Sequence, residues 1–279
     1  MPTGYYMPMT IKTRNYCTLI LFFCAVAALL TNVILLAYAI STGQFTPPDL
    51  PQQRMLWHLY SNRYTFISAF ISLFLLQLYG AAISLYFVIA FEKTQSTEIV
   101  FLLLFVIGCL LEGVRVLIPL FNLWHSYSSL TQICGRAVLF GRTLNPLALL
   151  AVAIASGPDQ RQNIERNIML LLGTATVAAA LLPIDITHVS PQGFFPWGNG
   201  TSLSIARMLI ILAAIISQFV SAFWADKLFR LTVGFAALAI GYVVTCGIFS
   251  ITTLVIGIAL LGGGSVYYVQ QLHRHYLWQ

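Results

Sequence analysis

Long apolar stretches separated by short polar segments are the main feature of this sequence. Eight can be marked, each near the roughly 20 residues that a helix needs to cross a bilayer core. They cover residues 17–40, 65–91, 99–121, 133–156, 167–184, 202–225, 229–249 and 251–272. None shows the regular alternation of a transmembrane β-strand. The pattern predicts an all-α bundle of eight spans, with residues 1–279 forming a single integral membrane domain.

The composition favours the same interpretation. Charged residues make up 8% of the 279 residues and hydrophobic ones 59%, whereas a soluble domain has about 25% charged residues. So few charges cannot cover the surface of a soluble protein, which excludes a soluble enzyme and a nucleic-acid-binding domain. The five cysteines lie in apolar runs without a metal-ligand or redox spacing, so they indicate packing.

The basic residues predict how the spans are oriented. Placing the N-terminus in the cytoplasm puts eight Lys and Arg residues on the inner side, and only Arg54 and Arg63 on the outer side. The inner eight are Lys12, Arg14, Lys93, Arg161, Arg166, Lys227, Arg230 and Arg274. Because basic residues are enriched in cytoplasmic loops, both termini are predicted to be cytoplasmic.

The first apolar stretch has two possible interpretations. Lys12 and Arg14 followed by an apolar run and Ala37-Tyr38-Ala39 resemble a cleavable signal peptide. The run is longer than the roughly 7–15 residues of a signal-peptide core, which favours an uncleaved anchor. Cleavage would leave seven spans in the same orientation.

Charged side chains inside the apolar stretches are rare, and each needs a partner or a function because charge in hydrocarbon is costly. They are Glu112 and Arg115 in the third stretch, Arg136 and Arg142 in the fourth, Arg207 in the sixth and Asp185 at the end of the fifth. All are expected in the outer half of the membrane. An antiparallel hairpin of the third and fourth stretches predicts a Glu112–Arg142 ion pair, and Arg115–Asp185 is predicted as a second pair.

Two interpretations of this cluster remain open. In the first, the residues form a buried structural network between the third to sixth spans. In the second, the positive excess binds an anionic guest, since four arginines face only two carboxylates. The candidate ligand-binding residues are Arg115, Arg136, Arg142, Arg207 and Asn145, and Pro146 predicts a kink beside them.

Catalytic and metal-binding patterns are not found in the sequence. Paired buried carboxylates, a Ser/His pair, His-Glu-x-x-His and a mid-span histidine for haem are all missing. His58, His125 and His188 fall on the predicted outer side without local ligand spacing. No enzyme activity, cofactor or metal is therefore expected.

The overall plan resembles multi-pass sensor-like inner-membrane proteins of bacteria with seven or eight spans, here without an output domain. The resemblance covers the architecture only, so it implies no residue roles. We expect a receptor-like or accessory protein of the cell's inner membrane, embedded in the lipid bilayer. Its outward-facing polar pocket would bind a small anion, a lipid or a membrane partner that carries a soluble domain. A secondary transporter of an organic anion is the alternative, with Arg115, Arg142 and Arg207 supplying charge.

Overall fold

The computed structural model describes residues 11–43, 62–91, 96–121, 123, 129–156, 163–185, 190, 193–224, 229–247 and 250–277. In this part of the chain, nine α-helices and one 3-10 helix follow one another. They are α1 (Ile11–Ser41), α2 (Asn62–Ala90), α3 (Thr97–Leu111), the 3-10 helix Glu112–Val116, α4 (Leu117–Leu120), α5 (Ser129–Ala155), α6 (Ile164–Leu181), α7 (Gly200–Trp224), α8 (Phe229–Cys246) and α9 (Ile251–Leu277).

Eight helical segments of the described chain are long and apolar enough to cross a membrane. Their bounds agree with those of the eight predicted stretches to within a few residues at most of the helix ends. The third segment combines α3, the 3-10 helix and α4 as Thr97–Leu120. The predicted helical architecture, with eight helices long and apolar enough to cross a membrane, is therefore confirmed for the described residues.

The third segment departs from a regular helix at the charged residues. The backbone tightens into 3-10 geometry between Glu112 and Val116. Pro119 explains the change, because a proline has no N–H and crowds the carbonyl four residues earlier, here that of Arg115. The Asn32 amide of α1 donates to the carbonyl oxygen of Gly113 at 3.4 Å, which satisfies one backbone group of this turn.

Burial separates a central pair of helices from a periphery. In the most apolar windows, 78% of the third segment and 67% of α5 are buried, against 11% for α1 and for α6. The exposed faces of the outer helices are themselves apolar, as Leu209 and Phe223 on α7 illustrate. Such a surface fits hydrocarbon rather than water.

Two glycines let the central helices touch backbone to backbone. A Cβ atom on Gly141 of α5 would lie 2.8 Å from the Gly108 carbonyl oxygen of α3, which is closer than side chains permit. Glu112 follows Gly108 by one helical turn, and Arg142 follows Gly141 directly. The close crossing therefore brings this carboxylate and this guanidinium together.

The α8–α9 hairpin is packed in the same way. A Cβ atom on Gly264 of α9 would lie 2.4 Å from the Leu238 backbone nitrogen, so this glycine is needed for close approach. Gly262 and Gly263 have open space where a side chain would stand. Of the three consecutive glycines, only the last lies at this helix contact.

Candidate functional site

Glu112 lies at the centre of a buried charge cluster. Its carboxylate accepts from Arg142 Nε at 2.5 Å and Nη2 at 3.2 Å, and from Arg115 Nη1 at 2.9 Å. All three side chains are at most 4% exposed. The Glu112–Arg142 pair is the one predicted from the sequence, and Arg115 joins it from the same helical segment.

Two aromatic rings contact the arginines of this cluster. The Arg142 guanidinium carbon lies 4.5 Å from the centre of the Phe194 ring and 5.4 Å from that of Trp197. Arg115 lies over the same Phe194 ring at 5.1 Å, and Arg207 lies over the Trp197 ring at 5.2 Å. Each ring therefore contacts two guanidinium groups, and each such contact is attractive through the ring quadrupole.

The segment before α7 holds these rings through backbone hydrogen bonds. The Asp185 N–H donates to the Pro196 carbonyl at 2.8 Å, the Gly198 N–H donates to that of Pro183 at 3.1 Å, and Ile184 pairs with Trp197 as an isolated bridge. A tight turn precedes them, with Gly193 at a φ of +73°, a conformation that favours glycine. The aromatic rings are consequently fixed against the helices rather than lying loosely at the surface.

A cavity of about 590 Å³ adjoins this cluster. Arg142 and Pro146 of α5, Ser204 and Arg207 of α7, and Tyr242 of α8 line it together with residues that are mainly apolar. The remaining lining residues are Phe194, Pro196, Trp197, Gly200, Met208, Ile211, Val243, Val244, Cys246, Gly247 and Thr253. Among these described lining residues there is no Asp, Glu or Lys. The cavity thus combines two guanidinium groups with an apolar wall.

Arg207 differs from the other two arginines in its partners. Its Nη2 donates to the Ser204 hydroxyl one turn earlier, at 3.1 Å, and its guanidinium lies over Trp197. The ion pairs between described residues are the two of Glu112, so they leave the Arg207 charge uncompensated. Of the two arginines that line the cavity, only Arg142 has a described ion pair, and that pair is with Glu112.

Two predicted ligand-binding residues lie elsewhere. The exposed Arg136 donates to the carbonyl oxygens of Ala179 and Ala180 at 3.0 and 2.7 Å, which caps the last turn of α6. Asn145 is fully buried against α3, where its Nδ2 lies 3.8 Å from Cys109 Sγ. Neither residue is among the described residues that line the cavity, and their role in ligand binding stays a prediction.

Arg115 is not among the described lining residues, and its guanidinium contacts the Phe194 ring. Its described ion pair is with Glu112 rather than with Asp185. Asp185 contributes its backbone to the segment before α7. The Arg115–Asp185 pair stays a prediction.

Sequence reasoning missed Phe194, Trp197 and Tyr242 as site residues. The aromatic and glycine-rich composition of residues 185–201 indicates an ordered segment, but it does not reveal that the rings contact the arginines. Tyr242 lies in an apolar run that resembles any other buried span. Only the three-dimensional arrangement identifies these three residues.

The described residues contain no group of three His, Cys, Asp or Glu side chains placed to hold a metal ion. His58, His125 and His188 lie outside the described residues. No protein-family model matches the chain, and no curated protein is similar enough in sequence to be matched.

Proposed function

We propose that this chain is a receptor-like or accessory membrane protein that binds a small anionic molecule or an anionic lipid headgroup in the cavity beside Arg142 and Arg207. The observation that carries this proposal is the charge balance. Arg142 and Arg207 both line the cavity, only Arg142 of the two has a described ion pair, and the described lining residues include no carboxylate. An anion supplies the missing negative charge.

The surroundings of the two arginines suit such a ligand. The Arg142 guanidinium lies over the Phe194 and Trp197 rings, and its Nε and Nη2 donate to the Glu112 carboxylate. A guanidinium that is already fixed loses little conformational freedom when it binds an anion. The apolar wall lowers the local dielectric, which strengthens the attraction between the arginines and a carboxylate or phosphate.

The membrane orientation forms part of the same proposal. With both termini in the cytoplasm of a bacterial-type cell, the cavity lies in the outer half of the inner membrane and faces outward. Reporter fusions test this. Fusions after Asp159, Lys227 and Gln279 are expected to report cytoplasm, and fusions after Gln53 and Ser126 the outside. An inverted pattern at two of these sites would overturn the orientation.

Secondary transport of an organic anion is the alternative, and one observation favours it. Gln218 follows Arg207 along the same face of α7, about 16 Å away along the helix axis, and is fully buried. Neither polar atom of its amide has a hydrogen-bond partner. However, the apolar Ile211 and Ala214 separate it from the cavity, and transport needs a continuous polar path. Anion uptake into proteoliposomes would favour the alternative.

Ligand-dependent thermal stability tests the binding proposal. The purified protein is heated with inorganic phosphate, glycerol 3-phosphate, hexanoate or an anionic phospholipid, and unfolding is followed by tryptophan fluorescence. At least one anion should raise the unfolding temperature of the wild type but not that of Arg207→Gln. Arg136→Gln is the matched control, since it removes a charge outside the cavity and should keep the response. An equal response in all three proteins, or in none, contradicts the proposal.

A further inference from the structure

The walls of the cavity show where it opens. The lining residues from α5, Arg142 and Pro146, are buried, so α5 forms the closed back wall. On the opposite side Met208 of α7 is 52% exposed, and Val243 and Val244 of α8 are half-buried. The mouth of the cavity therefore lies between α7 and α8.

The packing of these two helices explains the opening. They touch near the segment that joins them, where the Phe219 and Phe229 rings lie 6.0 Å apart and Thr232 donates to the Gln218 carbonyl oxygen at 3.3 Å. Towards the start of α7 and the end of α8, the cavity separates them. Both helices are long and apolar enough to cross a membrane. A gap between two such helices faces the bilayer.

The distribution of polar groups matches an amphipathic ligand. Arg207 and Ser204 lie near the start of α7, whereas Met208 and Ile211 continue the wall as an apolar surface. The volume of about 590 Å³ lies within the roughly 300–1,000 Å³ of pockets for drug-sized ligands. A bare inorganic anion would leave most of it empty.

We infer that the natural ligand is an anionic phospholipid that reaches the cavity sideways from the membrane. Its phosphate binds between Arg142 and Arg207, and its acyl chain leaves between α7 and α8 past Met208. This inference rests on the proposed anion-binding function and adds the class of ligand and its route. The alternative source of the same chemistry is a water-soluble phosphate ester.

The first experiment separates the two sources. The detergent-solubilised full chain is titrated with phosphatidylglycerol, with phosphatidylcholine of the same acyl chains, and with glycerol 3-phosphate, and bound species are counted by native mass spectrometry. Phosphatidylglycerol should bind at least about tenfold more tightly than either comparator. Arg207→Gln should lose about tenfold of that affinity, the effect of one charged hydrogen bond of about 1.4 kcal/mol.

The second experiment tests the route. Met208→Trp fills the mouth of the cavity, and Leu209→Trp adds the same ring to the neighbouring, 60% exposed position outside the lining. Only Met208→Trp should weaken phosphatidylglycerol binding. If this variant does not fold, Met208→Cys and Leu209→Cys, each with and without a bulky maleimide, give the same comparison on folded protein.

The outcomes distinguish this inference from the proposed function. If glycerol 3-phosphate binds as tightly as phosphatidylglycerol and its binding depends on Arg207, the anion-binding site is supported. The assignment of a phospholipid as the ligand is then refuted. Equal effects at positions 208 and 209 overturn the sideways route. If no anion binds in a manner that depends on Arg207, the inference and the proposed function both fall.

Discussion

Glu112 forms ion pairs with two buried arginines at once, and a double-mutant cycle can measure this arrangement. Glu112→Gln keeps the shape of the side chain but leaves Arg115 and Arg142 without their carboxylate. Arg142→Gln removes two of the three hydrogen bonds to Glu112 and leaves the Arg115 contact in place. The loss of Glu112 should therefore be the more damaging of the two substitutions.

The magnitudes follow from the burial of the three side chains. Breaking a buried ion pair by removing one partner costs about 3–5 kcal/mol, because the other charge is left uncompensated. We expect Glu112→Gln to lower the free energy of unfolding by an amount at the upper end of this range, and Arg142→Gln by an amount at the lower end. In the double variant, the coupling between the two positions should recover about 1–3 kcal/mol of the summed loss.

The free energy of unfolding is measured in mixed micelles titrated with sodium dodecyl sulfate and followed by tryptophan fluorescence. Arg136→Gln is the control on the same helix, since its exposed guanidinium contacts only backbone carbonyls in the described structure. It should cost about 1 kcal/mol or less. Fully additive effects of Glu112→Gln and Arg142→Gln, or a loss no larger than that of Arg136→Gln, would refute the reasoning.

Three further substitutions test other parts of the structure in the same unfolding assay. Gly141→Ala should cost at least about 1 kcal/mol by overpacking against the Gly108 carbonyl, whereas Gly173→Ala, in open space on α6, should not. Tyr276→Phe should cost about 1.5–3 kcal/mol, because the Tyr276 hydroxyl donates to the buried Glu98 carboxylate at 2.8 Å. Burial, reinforced by Glu98, raises the pKa of Tyr276, so the hydroxyl stays a donor at neutral pH. Gln218→Met should instead stabilise the protein by about 1 kcal/mol, since it removes an unpaired buried amide. An unchanged Gly141→Ala or Tyr276→Phe variant, or a destabilised Gln218→Met variant, would contradict the corresponding assignment.

The helices and one ion pair could be predicted because they depend on one-dimensional information. An apolar run of the right length specifies a span, and the position of a charge within it specifies its depth. Glu112 and Arg142 have matching depths on adjacent spans, and the structure joins them. For two neighbouring antiparallel helices, matching depth was sufficient to predict this ion pair.

The depth of a residue in the membrane does not determine which residues line the cavity, because the face of the helix on which a residue lies matters as well. Arg136 and Arg142 lie six residues apart, which is about 240° of rotation around the axis of α5. Arg142 consequently faces the cavity while Arg136 faces the end of α6. Asn145 lies about 60° from Arg142 on the same helix, enough to turn its amide onto α3 instead.

The aromatic rings of the site were beyond prediction for a different reason. Phe194 and Trp197 reach the arginines because the chain reverses between α6 and α7, through the pairing of residues 183–185 with 196–198. Such a reversal has no helical period that a sequence pattern reveals. Long-range packing of a loop is set by the whole bundle.

The uncompensated Arg207 would link the stability of this protein to the proposed anionic ligand. A buried or half-buried cation without a carboxylate lowers the stability of the folded state, and the contacts with Trp197 and Ser204 offset only part of that cost. A ligand that binds only the folded state contributes about 2.7 kcal/mol at a hundredfold excess over its Kd. This contribution is comparable to the cost of one poorly compensated charge. Removing anionic lipid during purification should therefore destabilise the wild type, whereas Arg207→Gln, which lacks both the cation and the ligand contact, should be insensitive to the lipid content of the micelle.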